Sequence, residues 1–374
     1  MSSVAFNNLA KGSKILVAMS GGVDSSVAAY RLVQGGFDVV GVTMHLVAVE
    51  DKPTSGAQAS GERACCSIAA AEDARRVAVK IGIPHYMLNL ADMFYEKVMK
   101  PTRMEYEKGR TPNPCVQCNR YMKFNVLFDR AKQLGCTHVA TGHYARIIED
   151  DSGLHLLRGV DPGKDQTYFL AFLTESELER IVFPLGWDTK ESIRAEAKEI
   201  GLNVADRPES QDLCFFTSGG QPDGIDKIGM GRSGEIVSTD GEVIGTHDGI
   251  GTFTIGQRKG VPGGMSERMY VIDIDAETGK VVIGNDEELF ASDFAIDDIS
   301  LVSESNRGSG RFKNVAIQVR YRSKPVAGIV EIGKNGIGHV HLDSPVRAIT
   351  PGQVAVWYSG NEVIGAGTIL TVTR

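Results

Sequence analysis

The 374 residues carry 40 Lys and Arg against 47 Asp and Glu, a formal net charge of −7, with 42% hydrophobic and 23% charged residues. That balance argues against a generic basic nucleic-acid coat protein, and the composition excludes disordered, collagen-like and coiled-coil chains. No apolar run approaches the roughly 18 residues that span a bilayer, and Met1–Gly12 has neither an apolar leader core nor a transit peptide's arginine bias, so a cytoplasmic protein of two or three domains is expected.

Lys14–Met19 reads as a short apolar strand, Ser20–Gly22 as a turn, and Ser25–Gly35 as a helix with Val27, Ala28, Leu32 and Val33 at helical spacing. The pattern continues with strand Asp38–Met44, helix Ala69–Ile81, strand His85–Leu90, helix Lys123–Leu134 and strand Thr137–Thr141. Such alternation predicts an α/β fold with a parallel, Rossmann-like sheet whose ligands bind at the strand ends. Asp51–Gly61, rich in Ser, Gly and Ala, reads as a mobile loop beside those ends. After about Ser218 helical periodicity stops and short strands punctuated by glycine take over: Glu235–Val237, Met269–Ile274 and Val281–Ile283, then Asn314–Tyr321, Gly328–Ile332, His339–Leu342 and Gln353–Tyr358. A small central β-rich domain followed by a C-terminal β-barrel is expected, with no internal repeat.

Charge is segregated along the chain. Lys97–Arg146 holds ten basic residues against three acidic ones, and Arg307–Lys324 six against none, whereas Asp223–Asp298 holds sixteen acids against six bases. Two positive segments in an acidic chain can grip a polyanion, or they can be ordinary solvated faces.

Ser20-Gly-Gly-Val-Asp-Ser-Ser26 between a strand and a helix makes an anion site from backbone N–H groups and a helix N-terminus. It lacks the Gly-Lys-Ser/Thr ending of a Walker A loop and is not Gly-x-Gly-x-x-Gly. A carboxylate here, Asp24, would repel phosphate unless Mg²⁺ bridged them. The plain alternative is a tight, capped turn. Farther on, Thr111-Pro-Asn-Pro-Cys-Val-Gln-Cys-Asn119 carries two prolines, which predict a shaped, non-helical loop presenting Cys115 and Cys118. A third cysteine stands in Asp212-Leu-Cys-Phe215, and the bases Arg110, Arg120 and Lys123 favour the thiolate form. Cys65, Cys66 and Cys136 have weaker claims, Cys136 reading as packing.

The turn resembles the signature of the N-type ATP pyrophosphatases, which adenylate their substrates. Together with Ala64-Cys-Cys-Ser67, Gly109-Arg-Thr-Pro-Asn-Pro114, Ala140-Thr-Gly-His-Tyr144, Lys164-Asp-Gln-Thr-Tyr-Phe-Leu170, Asp212–Phe215, Gly256-Gln-Arg-Lys-Gly260 and Arg320-Tyr-Arg322, it makes nearly the whole chain resemble the tRNA-specific 2-thiouridylases. That resemblance implies a catalytic ATP pyrophosphatase domain over residues 1–218, a central β-rich domain over 219–292 and a tRNA-binding barrel over 293–374. It implies ATP at Ala18, Met19, Ser20, Gly21, Gly22, Val23, Asp24, Ser25, Met44 and Gly142, with Mg²⁺ on the phosphates. It implies tRNA contacts at Asn113, Pro114, Cys115, His143, Lys164, Asp165, Gln166, Arg320, Tyr321 and Gln353, although on sequence alone His143 reads nearly as well as a hydrogen-bonded core histidine. Cys214 would carry a persulfide and Cys118 would be its disulfide-forming partner, the sulfur coming from a donor such as a cysteine desulfurase or relay protein. The implied substrates are the Lys, Glu and Gln acceptors.

One position departs from the family pattern, because Cys115 stands where those enzymes have an Asp thought to act as acid or base. A thiol, with an ordinary pKa of about 8.5, is no substitute for a carboxylate near 4. Cys115, Cys118 and Cys214 either hold a [4Fe–4S] cluster with one open iron, as related thiolases do, or Cys115 is a neighbour that ligates nothing. Two other readings compete. A small-substrate adenylating ligase of the same superfamily would share the turn without needing the cysteines, and a non-enzymatic RNA-binding protein would share the basic segments without needing Asp24.

Overall fold

The computed structural model describes residues 9–46, 68–204, 231–261, 268–306 and 310–374. Cys65, Cys66, Cys214, Arg307 and the Asp51–Gly61 loop lie outside them. The chain divides into two compact units, one of residues 1–98, 115–224 and 302–304, the other of residues 99–114, 225–301 and 305–374. No helix among the described residues is long and apolar enough to cross a membrane.

The first unit begins with β1 (Lys14–Ala18), α1 (Val23–Gln34), β2 (Asp38–His45), α2 (Ile68–Ile81) and β3 (His85–Asn89), then α3 (Ala91–Phe94), which runs into a π-helical turn. The helix α4 (Lys100–Glu107) belongs to the second unit. Next come α5 (Pro114–Gln117), π-helical Cys118–Phe124 and α6 (Asn125–Gln133), then β4 (His138–Ala140), β5 (Ala145–Asp150), β6 (Gly153–Arg158), α7 (Thr167–Leu170), α8 (Glu175–Leu178), β7 (Ile181–Val182) and α9 (Lys190–Glu199).

Five parallel strands form the sheet in the order β3-β2-β1-β4-β7. Central β1 is a continuous apolar run because both its faces are covered, and Ile15, Leu16 and Val17 are fully buried. From β1 the chain winds to one side through β2 and β3, then returns to the other side at β4. That reversal opens a crevice between the ends of β1 and β4, where such sheets bind ligands. Helices α1 and α9 pack Val27, Ala28 and Leu32 and Ile193 and Ala197 into one core.

The expectation that two prolines keep Cys115 and Cys118 out of helix is corrected by the structure. Pro114 opens α5, where its fixed φ suits the first helical turn and its missing N–H costs no intrahelical bond. Both cysteines are therefore helical, Cys118 being the first residue of the π-helical segment.

The second unit contains a four-stranded sheet and a barrel. Strands β8 (Gly234–Ser238), β9 (Val243–His247), β10 (Tyr270–Asp275) and β11 (Lys280–Gly284) pair in the order β10-β11-β8-β9 around Ile236, Val271, Val281 and Ile283. Strands β12 (Phe290–Leu301), β13 (Arg311–Gln318), β14 (Val326–Ile332), β15 (Gly338–Arg347), β16 (Val354–Ser359) and β17 (Glu362–Thr373) run β12-β15-β14-β13-β16-β17, and β17 pairs back onto β12. Closure leaves the six strands without a free edge and wraps them around Trp357, Phe294 and Ile317.

Candidate active site

The turn after β1 is folded around its own hydroxyls. Ser26 Oγ donates to Gly22 O at 2.7 Å, Ser25 Oγ accepts from Ser20 N at 3.1 Å, and the Ser20 and Ser25 hydroxyls meet at 3.3 Å. Gly22 caps α1 without a side chain, so the first-turn amides of this helix point into the crevice, as an anion site requires. Gly21 takes φ 70°, and a Cβ there would strike the carbonyl of Ala70.

The loop after β4 meets this turn. A Cβ on Gly142 would lie 2.8 Å from Ser25 N and 2.9 Å from the Asp24 carbonyl carbon, so only glycine lets the two segments touch. Next to it, Tyr144 donates its hydroxyl to Asp24 Oδ1 at 2.8 Å. Lys190, the first residue of α9, places Nζ 2.7 Å from both oxygens of Asp24. Asp24 is therefore paired with a lysine in this structure. Ala18 and Met19 end the buried strand, and Met44 is buried at the matching end of β2. The structure thus gathers Ala18–Ser25 and Gly142 at the switch point of the sheet.

On its other side the same loop meets the cysteine helix. His143 is 8% exposed, with Nδ1 2.7 Å from Thr141 Oγ1 and Nε2 3.5 Å from Lys123 Nζ. Lysine only donates, so Nε2 is the acceptor and Nδ1 carries the proton. The ring packs beside Phe124 and edge-on to Phe183. Burial, reinforced by Lys123, holds its pKa well below the usual value. His143 is accordingly a neutral, buried histidine that joins the nucleotide turn's neighbour to the Cys118 helix.

This neutrality has a pH signature. The unfolded chain protonates His143 below about pH 6.5, whereas the folded protein resists until a lower pH. Its contribution is complete above pH 6.5 and is lost as pH falls toward the folded-state value. Melting temperature should therefore drop between pH 7 and pH 5, and the His143→Gln variant should show a shallower drop. Burial lowers His85 and His138 in the same direction, so part of the slope remains. An unchanged slope in the variant would show that His143 is not among the titrating groups.

The cysteines differ in setting. Cys115 and Cys118 are half-buried, and Asn119 Nδ2 donates to Cys115 O at 2.9 Å across one turn. Cys136 is buried and its thiol is pushed up by burial, which suits packing. Among the described residues no three His, Cys, Asp or Glu side chains are grouped to hold a metal ion. The third thiol of the expected iron–sulfur set, Cys214, lies outside the described residues.

Several residues expected at RNA also have partners within the protein. Asp165 accepts from Arg158 Nη1 at 2.7 Å, Gly159 N at 3.1 Å and Thr167 Oγ1, while Gln166 Oε1 accepts Tyr144 N at 3.0 Å. Lys164 is half-buried just before them. In the second unit, Gln353 Nε2 donates to Thr111 O at 2.9 Å and Pro112 O at 3.3 Å, which holds the segment leading to Asn113 and Pro114. Arg320 Nη2 donates to Ala348 O and Thr350 Oγ1, and Tyr321 lies under the Arg322 guanidinium. The basic segment is also partly spent, since Arg103 pairs with Glu107 and Lys108 and Arg110 pair with Glu105. Lys190 escaped the sequence reading, and Tyr144 entered it only as the last residue of the Ala140–Tyr144 motif. The usable signal for Lys190 was Thr189 as an N-cap before Ile193 and Ala197 at helical spacing.

Comparison with known families matches residues 13–218 to the "tRNA methyl transferase HUP domain", 223–285 to the "tRNA methyl transferase PRC-barrel domain" and 291–369 to the "Aminomethyltransferase beta-barrel domain". The tRNA-specific 2-thiouridylase MnmA 1 of Thermoanaerobacter pseudethanolicus is 44% identical over 363 residues, 96% of this chain and 98% of that protein. The tRNA-specific 2-thiouridylase MnmA of Carboxydothermus hydrogenoformans is 46% identical over 366 residues, covering 95% and 97%. That of Clostridioides difficile is 43% identical over 361 residues, covering 95% and 98%.

Proposed function

This chain belongs to the tRNA-specific 2-thiouridylase family, and from that membership we propose that it is an ATP-dependent sulfurtransferase acting on C2 of the wobble uridine of tRNA. The observation that carries the reading is the glycine-shaped crevice of Ser20–Ser25 and Gly142, joined through His143 and Lys123 to the helix that bears Cys118. A nucleotide bound at the α1 N-terminus would have its phosphates on first-turn amides. The uridine leaves its stack to be reached. Its O2 attacks the α-phosphorus, pyrophosphate departs, and the adenylated oxygen becomes a leaving group. The terminal sulfur of a Cys214 persulfide then attacks C2 and AMP leaves. Attack of the Cys118 thiolate on the inner Cys214 sulfur frees the thiocarbonyl and leaves a Cys118–Cys214 disulfide for a cellular thiol to reduce. In the other order, Cys118 first releases the sulfur as sulfide, which then attacks C2.

Mg²⁺ in this reading arrives with the triphosphate. Asp24 is paired with Lys190, and the ion would neutralise the charge of the phosphates themselves. The residues 1–218, 219–292 and 293–374 would act as catalytic, central and tRNA-binding domains. Lys, Glu and Gln acceptor tRNAs are the substrates in this proposal, with Asn113, Pro114, Cys115, His143, Lys164, Asp165, Gln166, Arg320, Tyr321 and Gln353 on the RNA side and a persulfide-bearing protein as sulfur donor.

The test is pyrophosphate release with and without unmodified tRNA, followed by nucleoside mass spectrometry with a persulfide donor. Release only with tRNA, and 2-thiouridine in the digest, are expected. Release driven by a small carboxylate without tRNA would instead identify an adenylating ligase. Full thiolation by Cys214→Ser would remove the persulfide from that residue.

A further inference from the structure

Asp24 sits inside an anion-binding turn, yet its surroundings are built to keep it there. Lys190 Nζ bonds both of its oxygens at 2.7 Å and is itself 8% exposed. Its backbone is fixed at the start of α9, where Thr189 Oγ1 accepts from Ser192 N and Asp161 Oδ2 accepts from Lys190 N at 2.9 Å. Tyr144 OH holds Oδ1 from another direction, and its ring lies 5.9 Å from the ammonium. Tyr144 is in turn gripped twice by Gln166, whose N–H donates to Tyr144 O at 3.1 Å and whose Oε1 accepts Tyr144 N. Two segments distant in sequence, those of Tyr144 and Lys190, therefore converge on one carboxylate.

A carboxylate beside an incoming triphosphate repels it, and a half-buried site screens that repulsion less than water does. Removing the partner of a poorly solvated charge leaves the remaining charge uncompensated. We propose that Lys190 is a positioning residue of the nucleotide-binding turn that works through Asp24: its ammonium cancels the carboxylate and so keeps the turn receptive to ATP, while Tyr144 fixes the carboxylate's orientation. The proposal rests on the reading of this turn as the ATP site.

The experiment is calorimetric binding of α,β-methylene-ATP to the full-length protein, with tRNA affinity and melting temperature measured on the same samples. Lys190→Met should weaken the nucleotide by at least about tenfold and leave tRNA affinity within about twofold. The Asp24→Asn/Lys190→Met double variant should recover to within about threefold of Asp24→Asn alone, because the charge that needed cancelling is gone. A double variant no tighter than Lys190→Met overturns the proposal, since Lys190 would then touch phosphate directly. Parallel losses of nucleotide binding, tRNA binding and melting temperature in Lys190→Met also overturn it, as those of a mere staple between α1 and α9. If Lys190→Met is insoluble, Asp24→Asn/Lys190→Gln replaces the ion pair by a neutral one of similar shape. Near wild-type nucleotide affinity in that pair supports the proposal and its loss overturns it. A wild-type protein that binds no nucleotide would instead sink the ATP reading itself.

Discussion

The Cys118→Ser variant should thiolate tRNA at least about a thousandfold more slowly than the wild type while binding ATP and tRNA within about twofold of it. Serine keeps the size of the side chain and the helix, but its hydroxyl cannot accept sulfur or close a disulfide. Cys118 is half-buried at the start of the π-helical segment, two helical residues after Val116, which is fully buried and anchors the turn. Cys136 supplies the internal control. It is buried with its thiol pushed up, so Cys136→Ala should leave the rate of thiolation close to wild type. Single-turnover assays with a persulfide donor make the comparison, and a Cys118→Ser enzyme with a tenth or more of the wild-type rate would exclude Cys118 from sulfur transfer.

Gly142→Val should cost more than about a hundredfold in ATP affinity together with roughly 1–3 kcal/mol of stability. The first carbon of the new side chain alone would stand 2.8 Å from Ser25 N and 2.9 Å from the Asp24 carbonyl carbon. Both are backbone atoms of the turn and cannot rotate aside. Either the loop after β4 withdraws, taking the Tyr144 bond off Asp24, or α1 shifts and its first-turn amides lose their aim. Gly142→Ala should show the same direction with a smaller loss. Calorimetric nucleotide binding and thermal melting separate the two effects. Nucleotide affinity equal to wild type in Gly142→Val would place the ATP site away from this crevice.

The sheet, the first helix and the glycine turn were legible in the sequence because each is announced by neighbours: an apolar strand, then glycines, then a 3.6-residue period. The cysteine helix was misread for an equally local reason. Prolines at 112 and 114 predict a helix-free loop, although proline at a helix start forfeits no intrahelical bond. The partnership of Asp24 with Lys190 spans 166 positions and that of Gln353 with Thr111 spans 242. No periodicity or spacing rule reports such pairs, which exist only once the sheet is wound and the barrel closed. His143 shows the same limit from another side: its residue type suits either an RNA contact or a core, and nothing in the sequence announces its burial beside Thr141, Phe124 and Phe183.

The widened helix from Cys118 to Phe124 works as a slack turn. An α-helix advances about 100° per residue, and a π-helical turn takes up an extra residue without breaking the rod. Cys115 and the Lys123–Phe124 face that packs on His143 therefore stay nearly in phase although the segment between them carries an extra residue. Deleting one residue of Asn119–Met122 should let the rod relax to ordinary α-helix with both flanks still folded and nearly in phase, because the wide turn spends its extra residue without adding a full step of rotation. The relative orientation of the two faces thus tolerates a one-residue change here that an ordinary α-helix would turn into a rotation of about 100°.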